Sequence, residues 1–480
     1  MAPKPTAEQT VIIDTVKPGD KDAVVEAGAG CGKTTTLKAV ARAIPDRKGL
    51  YIAYNKAIQV DAEKSFPDNV VCKTAHGLAY GAVGRLYARR LRGGRMKAEE
   101  VARLLRINDP LYLPSGIVPP AHIARVVMAT VKNFTLSARR DIMHQPVARI
   151  SGLDDPDTHA ALCQVVPKFA ARAWQDITDT NGRLPFTHDC YLKMWTLSDP
   201  QLTQYDFVML DEAQDSNPPV AAMVQAQKHA QKILVGDSAQ SIYAWRGAED
   251  AMAKFDGVRL TLSQSFRFGP AVAEEANKWL EYLNAPLRLR GFEAINSRIT
   301  SLAEPDAILC RTNAKTIGYA MEALNNGRRV AIVGGGDQIR RLAEAAIQLK
   351  AGVPCSHPEL FAFKTWGELQ EYVENEEGSD LAPFVKLIDS FGAEAVLDVV
   401  SRLVEEDRAD LVLSTAHKAK GREWHRVKVA DDFPEPKPTD DGGLGTISKA
   451  DANLAYVTVT RAMLELDRDG LAWIDHYLHA

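Results

Sequence analysis

The sequence lacks a disulfide frame. Its six cysteines, Cys31, Cys72, Cys163, Cys190, Cys310 and Cys355, are scattered, with no C-x-x-C and no close Cys/His cluster. That excludes a stapled secreted domain and a thiolate-built zinc or iron–sulfur site, and points to free thiols in a reducing compartment. No apolar run is long enough to cross a bilayer, and Met1-Ala2-Pro3-Lys4-Pro5 carries no apolar leader core. The expectation is an intracellular, soluble protein with no membrane partner: cytoplasmic and nucleoid-associated, or nuclear in a eukaryote. Excess positive charge is also missing. The formal net charge is −4, so any basic surface must be local. One stretch qualifies, 85–106, with Arg85, Arg89, Arg90, Arg92, Arg95, Lys97, Arg103 and Arg106 against only Glu99 and Glu100. It reads either as a solvated face or as a nucleic-acid contact.

What is present begins with Glu26-Ala27-Gly28-Ala29-Gly30-Cys31-Gly32-Lys33-Thr34-Thr35. The apolar run Ala23–Val25 before it reads as a buried strand. The segment after it places Leu37, Val40, Ala41 and Ile44 at helical spacing. Strand, glycine-rich turn, Gly-Lys-Thr and helix form the context of a phosphate-binding loop. Glycines let backbone N–H groups curl round an anion, and the helix N-terminus adds partial positive charge. Lys33 then sits on the β/γ-phosphates and the Thr34 hydroxyl ligates Mg²⁺. The alternative is a glycine-rich turn with a surface lysine.

Short apolar strands alternate with helical patterns: Ala23–Val25, Leu50–Ala53, Val70–Cys72, Phe207–Leu210 and Ile233–Val235 form one set. Val258–Leu262, Ala307–Cys310, Val330–Val333, Leu411–Ser414 and Val427–Ala430 form a second. The pattern predicts an α/β chain with two parallel sheets, each interrupted by a mostly helical insertion. Phe207–Leu210 runs into Asp211-Glu212-Ala213-Gln214-Asp215. A strand delivering two acids at its C-terminal edge is what a phosphate-loop NTPase places opposite its lysine: Asp211 for the Mg²⁺ shell, Glu212 to polarise the attacking water. A strand end capped by solvated acids is the other reading.

Four stretches then carry a resemblance. They are 210–215 (LDEAQD), 235–248 (VGDSAQSIYAWRGA), 415–423 (TAHKAKGRE) and 456–462 (YVTVTRA). In type and order they resemble motifs of the UvrD/Rep/PcrA-type superfamily-one DNA helicases. Tyr54-Asn55-Lys56-Ala57-Ile58-Gln59, Cys72-Lys73-Thr74-Ala75-His76 and Asp431-Asp432-Phe433 make the likeness greatest to the F-box DNA helicase branch, without its F-box. The resemblance runs from about Thr6 to Asp467. It implies two RecA-like domains: 1–84 with 201–257, interrupted by a helical insertion at 85–200, and 258–336 with 410–480, interrupted by a short one at 337–409.

By the same resemblance, Gln9 reads the adenine edge, Phe266 stacks on the base, Glu423 accepts the ribose hydroxyl and Gln240 senses the γ-phosphate. Arg267 and Arg461 act as arginine fingers from the second domain. With Lys33, Asp211 and Glu212 these form the catalytic set. Ala27, Gly28, Ala29, Gly30, Cys31, Gly32, Thr34 and Thr35 complete the ATP cradle. Tyr54, Lys56, His76, Tyr243, Trp245, Arg246, Thr415 and His417 are the expected nucleic-acid contacts. The implied activity is ATP-dependent, Mg²⁺-dependent, 3′→5′ travel on single-stranded DNA with unwinding of partial duplexes, by a motor working as a monomer. Two alternatives remain: a translocase that strips proteins from DNA and unwinds little, and a nucleotide-gated interaction module. The chain departs from its relatives at Thr74-Ala75-His76-Gly77, which lacks an aromatic and a hydroxyl, and at Thr35, where many carry arginine.

Overall fold

Short, almost continuously buried apolar runs become the strands that place the site. The computed structural model describes residues 4–94, 96–113, 116–150, 153, 155–243, 250–353, 355, 357, 360, 363–374, 381–439 and 443–478. In the first part, β1 is Ala23–Ala27, β2 Gly49–Ala53 and β3 Val70–Thr74. A short antiparallel hairpin follows, β4 (Leu111–Leu113) with β5 (Gly116–Val118). Then come β6 (Phe207–Leu210), β7 (Gln231–Gly236) and β8 (Val258–Leu262). Apart from the hairpin they form one six-stranded sheet, ordered β3-β2-β6-β7-β1-β8 and parallel throughout.

The second sheet comprises β9 (Arg298–Ile299), β10 (Ala307–Cys310), β11 (Val330–Ile332), β12 (Leu411–Thr415), β13 (Trp424–Val429) and β14 (Ala462–Asp467). Its order is β11-β12-β10-β13-β14-β9, again parallel. The protein is therefore an α/β chain with two RecA-like parallel-sheet domains.

Period-two alternation divides the apolar residues between the two faces of the first sheet. Ala23, Val25 and Ala27 of β1 join a core with Ile12, Leu37 and Val40 from the flanking helices. Val24 faces the opposite side, with Leu50, Ile52, Val208 and Leu210. That second face carries the helical insertion: Phe134 of helix Pro120–Leu136 and Leu162 and Val166 of helix Pro156–Thr178 belong to the same core. The prolines that break the pattern start these helices, where a missing N–H costs nothing. Asp155 caps the second of them by accepting the Thr158 N–H at 3.0 Å.

Two expectations need correction. Val258–Leu262 does not open the second sheet. It pairs with β1 along its whole length, Ala23 opposite Val258 through Ala27 opposite Leu262. It is a half-buried edge strand, and its alternation carries no mark of which sheet it joins. The chain crosses between domains after Leu262, and helix Pro270–Tyr282 packs on helix Lys449–Val459 of the second. The β4–β5 hairpin inside the helical insertion was also not expected, because three-residue strands are too short to show a period. The domains share one apolar core, since Val427, Tyr456 and Leu466 cluster with Val25 and Leu37 through Phe268, Trp279 and Leu287.

Candidate nucleotide site at the junction of the two sheets

β1 ends in the phosphate loop and β6 in the acidic pair, with β7 between them, so all three deliver their C-terminal ends to one edge. Ligands of doubly wound sheets bind at such an edge. Lys33 opens helix Lys33–Ala43 and reaches Glu212, Nζ to Oε1 3.6 Å. The Thr34 hydroxyl donates to Asp211 Oδ2 at 3.1 Å. Glu212 adopts φ +49, a left-handed conformation that is unusual for a residue with a Cβ and concentrated at functional sites. That turn sends its carboxylate back to Lys33.

Burial tends to neutralise these groups, and their neighbours decide the outcome. For Glu212 burial raises the carboxyl's proton affinity, but Lys33 and then Lys420 outweigh it and hold the group low, at about 2. Asp211 goes the other way: burial and the Glu212 charge raise it. Lys33 stays above its ordinary value because Glu212, Asp237 and Asp211 overcome its burial. The site therefore holds an ionised Glu212 beside a charged lysine.

Several groups from beyond the first sheet close over this edge. Gly30 has φ +73, and a Cβ there would lie 2.6 Å from both Arg267 Cβ and Ser265 Oγ. Arg267 stands on the crossover after β8, not on the second sheet as expected. Its Nε donates to Glu423 at 2.5 Å and its Nη1 to the Thr460 carbonyl at 3.2 Å. Arg461 is 1 % exposed. It donates to the carbonyls of Val457 and Arg422 at 2.8 and 3.1 Å and to Thr460 Oγ1 at 2.9 Å. Burial and the nearby Arg267 bring it down to about 9. Lys420 pairs with Asp215 and donates to the Gln240 carbonyl at 2.5 Å.

The expected base-reading residues meet beside the loop. A Cβ on Gly32 would lie 3.6 Å from Gln9 Nε2 and 4.0 Å from the Phe266 ring. Gln9 bonds Thr36 Oγ1 through Nε2 at 3.1 Å and closes a capping box with Thr6. Phe266 is 44 % exposed, open to a flat ligand. Glu423 is engaged with Arg267. Gln240 is buried, its Nε2 donating to Asp237 Oδ2 at 2.6 Å.

Of the expected nucleic-acid contacts, Tyr54, His76 and Tyr243 open onto one cavity of about 490 Å³, which Lys132, Asp189 and Asn217 also line. The Tyr54 and Tyr243 rings lie 14° from parallel with centroids 6.1 Å apart. His76 Nε2 is 3.2 Å from Asp189 Oδ1, and the Tyr243 hydroxyl donates to the His417 carbonyl at 3.3 Å. Lys56 is exposed and donates to Gln59 at 3.2 Å. Thr415 is buried at the end of β12, its hydroxyl accepting the Lys418 N–H at 3.4 Å. Trp245 and Arg246 lie outside the described residues.

Sequence reasoning passed over Tyr51, whose hydroxyl donates to Asp211 at 2.5 Å. A tyrosine in a buried strand carries no mark that sets it apart from core. It also gave no role to Gln214, which donates to Glu212 at 2.7 Å and accepts the Asp237 N–H at 3.0 Å, or to Glu26, which accepts both Ser238 donors. Their positions inside motifs were the available signal.

A lysine-bearing phosphate loop, two acids at the end of β6, an arginine from the crossover and a second beside β14 define a two-domain phosphate-loop NTPase fold. The family model for the UvrD/REP helicase N-terminal domain matches residues 174–255. The chain is 30 % identical to F-box DNA helicase protein 1 of Schizosaccharomyces pombe, over 96 % of this chain and 57 % of that protein. It is 30 % identical to F-box DNA helicase 1 of Gallus gallus, over 91 % and 46 %. Against DNA helicase II of Salmonella typhimurium the identity is 24 %, over 53 % and 37 %. The chain thus spans about half the length of the two F-box relatives. In its motifs and their order the chain is similar to the UvrD-type superfamily-one helicases, over 174–255 to their N-terminal domain and over most of its length to the two F-box DNA helicases.

Proposed function

We propose that this chain is an ATP-driven motor that steps 3′→5′ along single-stranded DNA and opens partial duplexes. The observation that carries the reading is the closure of the phosphate loop by groups tied to the second domain: Arg267 against Gly30, Lys420 on Asp215 and Tyr456 on Ala29. A nucleotide bound there touches both domains, so its cleavage alters their fit. Thr34 and Asp211 are hard oxygen donors 3.1 Å apart and suit Mg²⁺. That ion, when bound with ATP, offsets charge on the phosphate oxygens. The chain's own groups do the rest. Lys33 holds the phosphates, Glu212 takes the proton of the attacking water, and Arg267 and Arg461 supply positive charge as the terminal phosphate parts from the bridging oxygen.

The near-parallel Tyr54 and Tyr243 rings give bases a stacking platform indifferent to sequence. DNA as the track rests on what the relatives' names state. The test is ATP turnover with no nucleic acid, single-stranded DNA, duplex DNA and RNA, followed by unwinding of tailed duplexes. Stimulation by single-stranded DNA and unwinding only from a 3′ tail are expected. Stimulation without unwinding would favour a protein-stripping translocase. Turnover indifferent to DNA would leave a nucleotide-gated interaction module.

A further inference from the structure

The segment that follows β7 is held from the second domain at several points, the Tyr243 hydroxyl on the His417 carbonyl among them. Lys420 donates to the Gln240 carbonyl. Asn453 Nδ2 donates to the Ser241 carbonyl at 2.8 Å. The contact from Tyr456 differs in kind because it ends on the Asp237 side chain and on the phosphate-loop backbone. Tyr456 lies on helix Lys449–Val459, with its ring fully buried. Its hydroxyl accepts the Ala29 N–H of the phosphate loop at 3.2 Å and lies 3.0 Å from Asp237 Oδ2. A hydroxyl has a single proton, and Ala29 brings its own, so the Tyr456 proton goes to Asp237. The same Asp237 oxygen accepts Gln240 Nε2 at 2.6 Å. One carboxylate oxygen therefore joins a second-domain tyrosine, the phosphate loop and the side chain placed to sense the γ-phosphate.

We propose that Tyr456 is a positioning residue of the ATPase site, and this rests on the motor reading above. Its hydroxyl sets how strongly Asp237 retains Gln240. Movement of its helix, which also bears the Val457 carbonyl that anchors Arg461, changes that hold and frees Gln240 towards the nucleotide. Fingers and sensor then respond to one displacement. The competing view is a core tyrosine that merely satisfies two buried polar groups.

Tyr456→Phe removes the hydroxyl and keeps the ring. The reading expects kcat of single-strand-stimulated hydrolysis to fall about tenfold or more, as loss of one hydrogen bond to a charged group allows. KM for ATP should change less than about twofold. The double variant Tyr456→Phe/Gln240→Ala should be no slower than Gln240→Ala alone, because Tyr456 acts through Gln240. Multiplying losses in the double variant would overturn the proposal. So would unchanged kcat, or a fall in kcat accompanied by a matching rise in KM and a lower Tm. An inert wild type in the same assay would overturn the motor reading and this one together; an active wild type with an unaffected Tyr456→Phe overturns this one alone.

Discussion

Glu26 is a half-buried acid at the edge of the nucleotide site. It is the penultimate residue of β1, and its carboxylate accepts the Ser238 N–H at 2.7 Å and O–H at 2.9 Å. Burial first and Asp237 second push it up to about 7. A carboxyl raised above its unfolded value binds its proton more tightly when folded. The stability it contributes is present below about pH 4.5 and lost as pH rises through about 7. Glu26→Gln mimics the protonated form and keeps an acceptor for Ser238. It should melt with the wild type near pH 4.5 and above it at pH 8, where the relief is worth about 1–3 kcal/mol. A Tm gap equal at both pH values would exclude titration of Glu26 as the cause. The neighbouring charged groups predict chemistry instead. Lys33→Ala should abolish detectable ATP hydrolysis. Glu212→Gln should retain ATP in a filter-binding assay while slowing its cleavage by orders of magnitude; near-normal turnover would remove Glu212 from the base role.

Among elements, the phosphate loop and the crossover at 265–267 meet backbone to backbone. The Phe266 N–H donates to the Gly30 carbonyl at 2.9 Å, and the backbone of the two runs too close for a side chain. Gly30→Ala adds a Cβ 2.6 Å from Arg267 Cβ at φ +73. Neither strain nor clash can relax through a flexible tip, so the crossover must move. The expected result is a loss of about 2 kcal/mol or more and a turnover defect that excess ATP does not repair. An alanine variant with normal Tm and kcat would show that the crossover can shift without consequence.

For the whole molecule the question is whether hydrolysis needs both domains. Arg267 is the cleaner probe. Its side chain is 15 % exposed and bonds Glu423 and one carbonyl, so Arg267→Ala should keep its Tm within a few degrees while turnover falls on the order of 10³-fold. Arg461 is different. It is fully buried and holds the Val457 and Arg422 carbonyls, so Arg461→Ala should lower Tm and turnover together. Comparable mild effects on turnover from both variants would place hydrolysis outside the junction of the sheets.

Most of the strands, the loop and the acid pair were legible in the sequence because each depends on local chemistry, whereas β4, β5, β9 and β14 were not. Buried runs such as Phe207–Leu210 alternate with helices, and Gly-Lys-Thr after a strand needs no distant partner to be recognised. Gln9 and Phe266 were named by likeness to relatives, and the structure brings both beside Gly32. What only the tertiary structure decided involves pairs far apart in the chain. Val258–Leu262 joins β1 because its backbone N–H and C=O groups find partners there, and a period of two cannot say which strand will supply them. Tyr51 reaches Asp211 and Tyr456 reaches Asp237 across elements that the sequence separates. A tyrosine on an apolar face reads as packing; only folding shows where its hydroxyl ends, because that position is set by the register of two sheets and the helix between them.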